Sequence, residues 1–166
     1  MWLSLVATAA IAGPPEIPDR APDQTFTVEL AAGAVWDNAW AWQSTVACFA
    51  AATAPSFNGP QQFLVLPQKA GTDLIVRAKP ASGVDVALYG LQHGALSRGQ
   101  RPPTITSAWR CSTSWLAAAG QPESFKLGSG NGDLEVVLGV VGSKGTASGS
   151  VTVEVWETAG RTYRPE

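Results

Sequence analysis

The sequence predicts an all-β fold, a two-sheet antiparallel β-sandwich of the jelly-roll type with about eight strands. Apolar and polar residues alternate in several short runs, and Gly- and Pro-bearing turns separate these runs. No segment shows a long helical stripe. Because a strand with one apolar face needs a second apolar surface to cover it, two packed antiparallel sheets are the economical arrangement.

The alternation assigns an inward and an outward face to each predicted strand. In residues 25–30, Phe26, Val28 and Leu30 face one way, and the Thr and Glu residues between them face the other. The same period of two gives the later strands these inward residues: Leu74, Val76 and Ala78; Phe125 and Leu127; Leu134, Val136, Leu138 and Val140; and Val151, Val153 and Val155. In the last of these strands, Trp156 is among the residues that face outward.

Length and composition limit the classes of function. The chain has 166 residues, of which 45% are hydrophobic, and this fits one globular domain with a sizeable core. Charged residues make up 14%, the formal net charge is −2, and the Lys and Arg residues form no cluster. The sequence therefore predicts neither nucleic-acid binding nor attachment to an anionic membrane surface.

The chain divides into four segments. Residues 1–12 are mostly apolar and end in Ala-Ile-Ala, which predicts a secretory signal peptide; the positively charged start is absent, and an apolar first strand is the alternative. Residues 13–24 are predicted to form a Pro-rich extended arm, 25–157 a single β-sandwich domain, and 158–166 a C-terminal tail. The apolar run is too short to span a bilayer, so no transmembrane segment is predicted. We expect a bacterial protein that is secreted, periplasmic or held at the cell surface.

Cys48 and Cys111 are the two cysteines of the chain. An exported protein meets an oxidising compartment, where an even number of cysteines favours pairing. We therefore expect a disulfide bond between Cys48 and Cys111, with two buried thiols as the alternative.

A series of short motifs follows a recognisable order between Cys48 and Val155. In chain order they are 57–60 (FNGP), 63–67 (FLVLP), 70–72 (AGT), 74–76 (LIV), 85–89 (DVALY), Cys111, 123–127 (ESFKL) and a closing hairpin over 134–141 and 149–155. This order resembles the bacterial pre-peptidase C-terminal (PPC) domain family. The resemblance implies a β-sandwich that accompanies exported proteins and is not itself catalytic. With no peptidase ahead of the domain, it implies a free-standing accessory or surface module.

His93 is the one histidine, so a catalytic Ser–His or Cys–His pair would have to use it. No Gly-x-Ser-x-Gly motif is present, and His93 falls where a strand end or an exposed loop is predicted. We therefore predict no enzymatic activity. A hydrolase is the alternative that these residues favour least.

No cofactor is predicted, because the chain lacks the ligand clusters of zinc sites and the Gly-rich motifs of nucleotide sites. Calcium is the one metal considered, with Asn131 and Asp133 of a Gly-rich loop as ligands and Glu135 as a helper. Asn-Gly and Gly-Asp pairs are also typical of tight hairpin turns, and a plain hairpin is the preferred interpretation.

Tryptophan is abundant, with seven residues in the chain, and Trp36, Trp40 and Trp42 lie close together. They fall in residues 34–54, for which we predict strand, loop and strand. If 39–43 is a strand, Trp40 and Trp42 share one face and offer a stacking platform for a sugar or for a partner's side chains. The alternative is that the group closes the open end of the sandwich as part of the core.

These observations favour a non-catalytic binding or accessory module that contacts a cell-surface polysaccharide or another protein. The alternative is a structural subunit of an extracellular or envelope assembly, in which the chain would form an oligomer or join other proteins. The low charge, the Pro-rich arm and the Arg-Thr-Tyr-Arg tail motivate this alternative.

Overall fold

A computed structural model describes residues 14–18, 20–36, 38–42, 48 and 51–159, except for the side chains of Trp42 and Ala51. The predicted signal peptide and residues 160–166 of the predicted tail lie outside the described residues. The described chain contains ten strands: β1 (Glu16–Ile17), β2 (Gln24–Glu29), β3 (Ala34–Val35), β4 (Pro60–Gln68), β5 (Thr72–Pro80), β6 (Val86–His93), β7 (Arg110–Ser114), β8 (Glu123–Gly128), β9 (Leu134–Gly142) and β10 (Ser150–Ala159). None of the helices in these ranges has the length and apolarity needed to cross a membrane.

The eight longer strands form two antiparallel sheets in the order β2-β10-β5-β8 and β4-β9-β6-β7. The pairing is nested, since β2 pairs with β10, β4 with β9, β5 with β8, and β6 with β7. The short strands β1 and β3 pair with the outer edge of β4, which makes the second sheet six-stranded. Nested pairing divided between two sheets is the arrangement of a jelly roll, and the predicted β-sandwich is confirmed.

The main core lies between the two sheets and contains the predicted inward residues. Phe26, Val28, Val76 and Val153 are at most 8% exposed. Most of the residues that alternate with them are exposed or partly exposed. Period-two alternation therefore identified the buried face of these strands, because each pleat sends successive side chains to opposite sides.

The six-stranded sheet is also covered on its outer face, by a second apolar layer. This outer layer contains Trp40, Phe57, Tyr89, Ile105 and Val137. Its presence explains why all eight positions of β6 are buried and why β9 is an almost continuous apolar run. A strand covered on both faces has no position left for a solvent-facing side chain.

The strand considered over residues 39–43 is not formed, because Ala39–Trp42 form a short α-helix (α1). Of the other described residues in 34–54, Ala34–Val35 form a strand and a 3-10 helix covers Ala51–Ser56. Residues 43–47, 49 and 50, where the second strand was predicted, lie outside the described residues. Alanine favours helix, and Asn38 holds the start of α1 in place. The buried Asn38 amide donates to the Phe57 carbonyl, and its Oδ1 accepts a hydrogen bond from Gln61 Nε2 at 3.1 Å.

The described part of the Pro-rich arm lies along the sandwich. Glu16 and Ile17 pair in parallel with β4, and the Phe63 amide donates to the Pro15 carbonyl at 3.1 Å. Ile17 packs against the main core. At the other end of the domain, β10 continues to Ala159.

The inward face of β10 provides a test of the register. We expect Val153→Asp to lower the free energy of unfolding by about 4 kcal/mol or more, because Val153 is 0% exposed and the carboxylate would be buried without a partner. Thr152→Asp is the control, since Thr152 faces outward opposite Lys79 and the change should stay within about 0.5 kcal/mol. Chemical denaturation of both variants measures the difference, and equal stabilities would contradict the register.

Gly139 provides a second test, this time of the outer layer. Gly139 of β9 pairs with Tyr89 of β6, and a Cβ at Gly139 would overlap the Tyr89 ring. We expect Gly139→Ala to lower the free energy of unfolding by about 1–3 kcal/mol, because the ring must move in a packed layer. Gly132→Ala is the matched control, since nothing lies within 4 Å of a Cβ there. A neutral Gly139→Ala would show that the ring does not lie over β9.

Candidate functional site

The outer face of the four-stranded sheet carries a shallow cleft of about 740 Å³. Trp156 of β10 lies opposite Ile75 of β5, which in turn lies opposite Lys126 of β8, so one row of side chains crosses three strands. Trp156 and Ile75 are partly exposed. On the same face, Arg77 is the next outward residue after Ile75 in β5, and Thr158 is the next after Trp156 in β10. Both also line the cleft.

The cleft is cationic although the chain as a whole is weakly acidic. Arg77 and Lys126 are among its lining residues, and no carboxylate is. The neighbouring carboxylates bind lysines: Glu154 pairs with Lys79, and Asp73 Oδ2 lies 3.1 Å from Lys126 Nζ. Arg77 is exposed and has no ion pair or hydrogen bond within the described part of the chain. Glu154 lies opposite Arg77 in the pairing of β10 with β5 but forms its ion pair with Lys79, so the guanidinium of Arg77 is available to an external anion.

The sequence interpretation did not assign this cleft. The available signal was Trp156, a large aromatic residue at an outward position of a strand whose inward positions are all valine. Its neighbours Ile75 and Lys126 are distant in sequence and meet it only through the pairing of β10, β5 and β8.

The structure places Trp40 inside the outer layer. Trp40 is 9% exposed and its ring makes an edge contact with Tyr89, with centroids 6.0 Å apart. Trp36 is partly buried and packs against the same layer, and the Trp42 side chain lies outside the described residues. Since Trp40 and Trp42 belong to α1, they do not share the single strand face that the sequence interpretation considered. For Trp40 the geometry favours the core alternative.

The predicted disulfide bond between Cys48 and Cys111 is present, with the two Cα atoms 5.5 Å apart. Cys111 lies in β7, the edge strand of the six-stranded sheet, and packs against the outer layer. The bond therefore joins Cys48, which precedes the 3-10 helix, to the edge of the six-stranded sheet.

Asn131 and Asp133 lie in the exposed turn between β8 and β9. Asp133 Oδ1 accepts a hydrogen bond from the Ala70 amide at 2.9 Å, so this carboxylate holds the neighbouring turn between β4 and β5. Glu135, the suggested helper, instead binds Arg101. In the residues that the structure describes, no three His, Cys, Asp or Glu side chains gather as metal ligands. Calcium binding at Asn131 and Asp133 stays an untested alternative to the plain hairpin.

The expectation that His93 is exposed is wrong. His93 is the last residue of β6, is 0% exposed, and lies opposite Glu135 of β9. The loop of residues 94–109 covers it. Glu135 holds this loop, because its Oε1 accepts hydrogen bonds from the Gly99 amide at 2.9 Å and from Arg101 Nη1 at 2.8 Å.

Burial lowers the pKa of His93 below its ordinary value, and the positive charge of Arg101 acts in the same direction. The Glu135 carboxylate and the Ser107 backbone oppose this shift without reversing it. Burial raises the pKa of Glu135, but the hydrogen bonds from Arg101 and Gly99 outweigh that effect and bring this pKa below its ordinary value. Arg101, whose side chain is 30% exposed, thus forms a partly buried ionic cluster with Glu135 and His93.

The burial of His93 predicts a pH-dependent stability. With its pKa lower in the folded than in the unfolded chain, the unfolded chain binds more protons, so the free energy of unfolding falls as the pH drops below about 6.5. His93 is the one histidine, and other side chains of ordinary pKa do not titrate between about pH 5 and 7. Denaturation of the wild type and of His93→Gln across this range measures the effect. The variant should show a flatter profile, and identical slopes would contradict the assignment.

Comparison with known proteins gives similarity of fold only. No protein-family model matches the chain, and a search of curated proteins finds no match. Among solved structures, the chain is similar to the pre-peptidase C-terminal domain of a collagenase from Bacillus anthracis, with 9% identity, a TM-score of 0.43, and coverage of 85% of this chain and 92% of that one. A periplasmic lysozyme inhibitor of g-type lysozyme from Aeromonas hydrophila matches with 11% identity, a TM-score of 0.39, and coverage of 85% and 94%. The first is a domain of the kind that the sequence motifs resemble, and neither similarity carries an argument about binding.

Proposed function

We propose that this protein is a non-catalytic binding module, exported by a bacterium, that contacts a polysaccharide or another protein in the periplasm or at the cell surface. The contact surface is the cleft around Trp156. One observation carries the proposal: Trp156, Ile75 and the unpaired Arg77 lie together on the outer face of the four-stranded sheet, beside the cleft.

The two sheets differ in a way that supports this assignment. The six-stranded sheet has an apolar layer on its outer face, whereas the outward residues of the four-stranded sheet are mainly polar. Trp156 and Ile75 are apolar exceptions on this polar face. A polar face gives no core-packing reason for an indole. Tryptophan on such a face is typical of contact surfaces, because it offers a large rigid area together with one hydrogen-bond donor.

The disulfide bond supports the exported location. Cys48 and Cys111 are bonded, and bonds of this kind form and persist in oxidising compartments such as the periplasm and the cell exterior. The predicted signal peptide at residues 1–12 supports the same proposal.

A second candidate function is that of a structural subunit in an envelope assembly. Leu96 and Trp109 favour it, because they are 103% and 54% exposed and line the same depression in the loop of residues 94–109. Exposed apolar side chains that lie together are typical of protein–protein contacts. In this case light scattering should detect an oligomer that Trp109→Ala dissociates.

Replacement of Trp156 tests the proposed binding surface. We expect Trp156→Ala to weaken retention on a column of immobilised bacterial cell-envelope material by about 2 kcal/mol, or roughly 30-fold, because an aromatic anchor is lost. Trp109→Ala is the matched control, since it removes the same side chain from an exposed position outside the cleft. Thermal melting verifies that both variants are folded. Unchanged retention of folded Trp156→Ala, or a loss confined to Trp109→Ala, would contradict the proposal.

A further inference from the structure

We infer that the cleft around Trp156 binds an acidic polysaccharide, with a sugar ring stacked on the indole and its carboxylate paired with Arg77 and Lys126. The inference rests on the proposed function, because it names the class of partner for the same surface.

The charge of the cleft selects an anion. Its lining holds two cations and no carboxylate, in a chain whose formal net charge is −2. Lys126 is ion-paired with Asp73 and adds positive charge beside the cleft, while Arg77 has no ion pair or hydrogen bond within the described residues. A guanidinium presents two parallel N–H groups that match the two oxygens of a carboxylate, so Arg77 is the stronger of the two anchors.

The shape of the cleft favours a sugar over a peptide. The cleft lies on the faces of β10, β5 and β8, and the backbone groups of β10 and β5 are paired with strands on both sides. An acidic peptide that binds a sheet commonly adds itself as a strand and needs free backbone groups. Of the three strands of the cleft, β8 is the edge strand, so such a peptide would pair along the outer edge of β8 and would not lie over Trp156 on β10. A pyranose ring needs only a flat aromatic surface and polar side chains.

The remaining lining residues suit this ligand. Ser124 and Thr158 bring hydroxyl groups to the cleft, and a hydroxyl can both donate to and accept from the hydroxyls of a sugar. The volume of about 740 Å³ lies within the usual range of ligand sites and accommodates more than one sugar unit.

The experiment compares three soluble probes of similar chain length: alginate, which is an acidic polysaccharide; dextran, which is neutral; and poly-glutamate, which carries carboxylates on a peptide. Binding to the full chain is measured by calorimetry at low and at moderate ionic strength. The variants are Arg77→Gln and the control Arg98→Gln, an exposed arginine outside the cleft.

We expect alginate to bind at least about tenfold more tightly than dextran, and to weaken as ionic strength rises. Arg77→Gln should raise the dissociation constant for alginate by about tenfold or more, because a charge-assisted hydrogen-bond pair is lost. Arg98→Gln should leave it unchanged.

Three results would overturn the inference. The wild type could bind alginate and dextran with equal affinity, or Arg77→Gln could bind alginate as tightly as the wild type does. The wild type could also bind poly-glutamate tightly without binding alginate. If Trp156→Ala still abolishes envelope retention in these cases, the proposed function stands and only the class of partner is wrong. If Trp156→Ala also leaves envelope retention unchanged, the proposed function falls with the inference.

Discussion

The sandwich depends on the pairing of β2 with β10, the first and the last of its eight long strands. β10 lies between β2 and β5, and its valines fill the centre of the core. Each antiparallel pair encloses the next, so the register of one pair constrains the others. Because side chains alternate with a period of two, a slip of one residue in β10 would turn Val155 outward and bury Trp156.

The two sheets differ in whether their outer faces are covered, and the proposed contact surface lies on the uncovered one. Residues that follow β3 and β6 cover the outer face of the six-stranded sheet, and the disulfide bond joins Cys48 to the edge of this sheet. On the outer face of the four-stranded sheet, Trp156 and Arg77 lie on β10 and β5, two strands that are paired on both sides. A site on such a face keeps its geometry before a ligand arrives, which reduces the ordering cost of binding.

The local pattern of the sequence was sufficient to predict the main strands and their buried faces, because side chains alternate between the two faces of a strand with a period of two residues. It was insufficient where burial depends on distant residues. His93 is hidden by a loop that Glu135 and Arg101 hold, and α1 begins at an asparagine bound to Phe57 and Gln61. The cleft was missed for the same reason, since Trp156 meets Ile75 only through the pairing of the strands. The alternation of β10 nevertheless marked Trp156 as an outward residue.

The nested pairing also determines when the chain can fold. A ribosome releases the strands in chain order, and of the four nested pairs the innermost, β6 with β7, is the first whose two strands are both available. The outermost pair must wait for β10, and until then β2 has no neighbour in its sheet and β5 lacks one of its two. Long-range pairing of this kind delays the formation of the core. A nascent chain without β10 therefore cannot complete the four-stranded sheet, and the core between the two sheets closes only when nearly the whole domain has been synthesised.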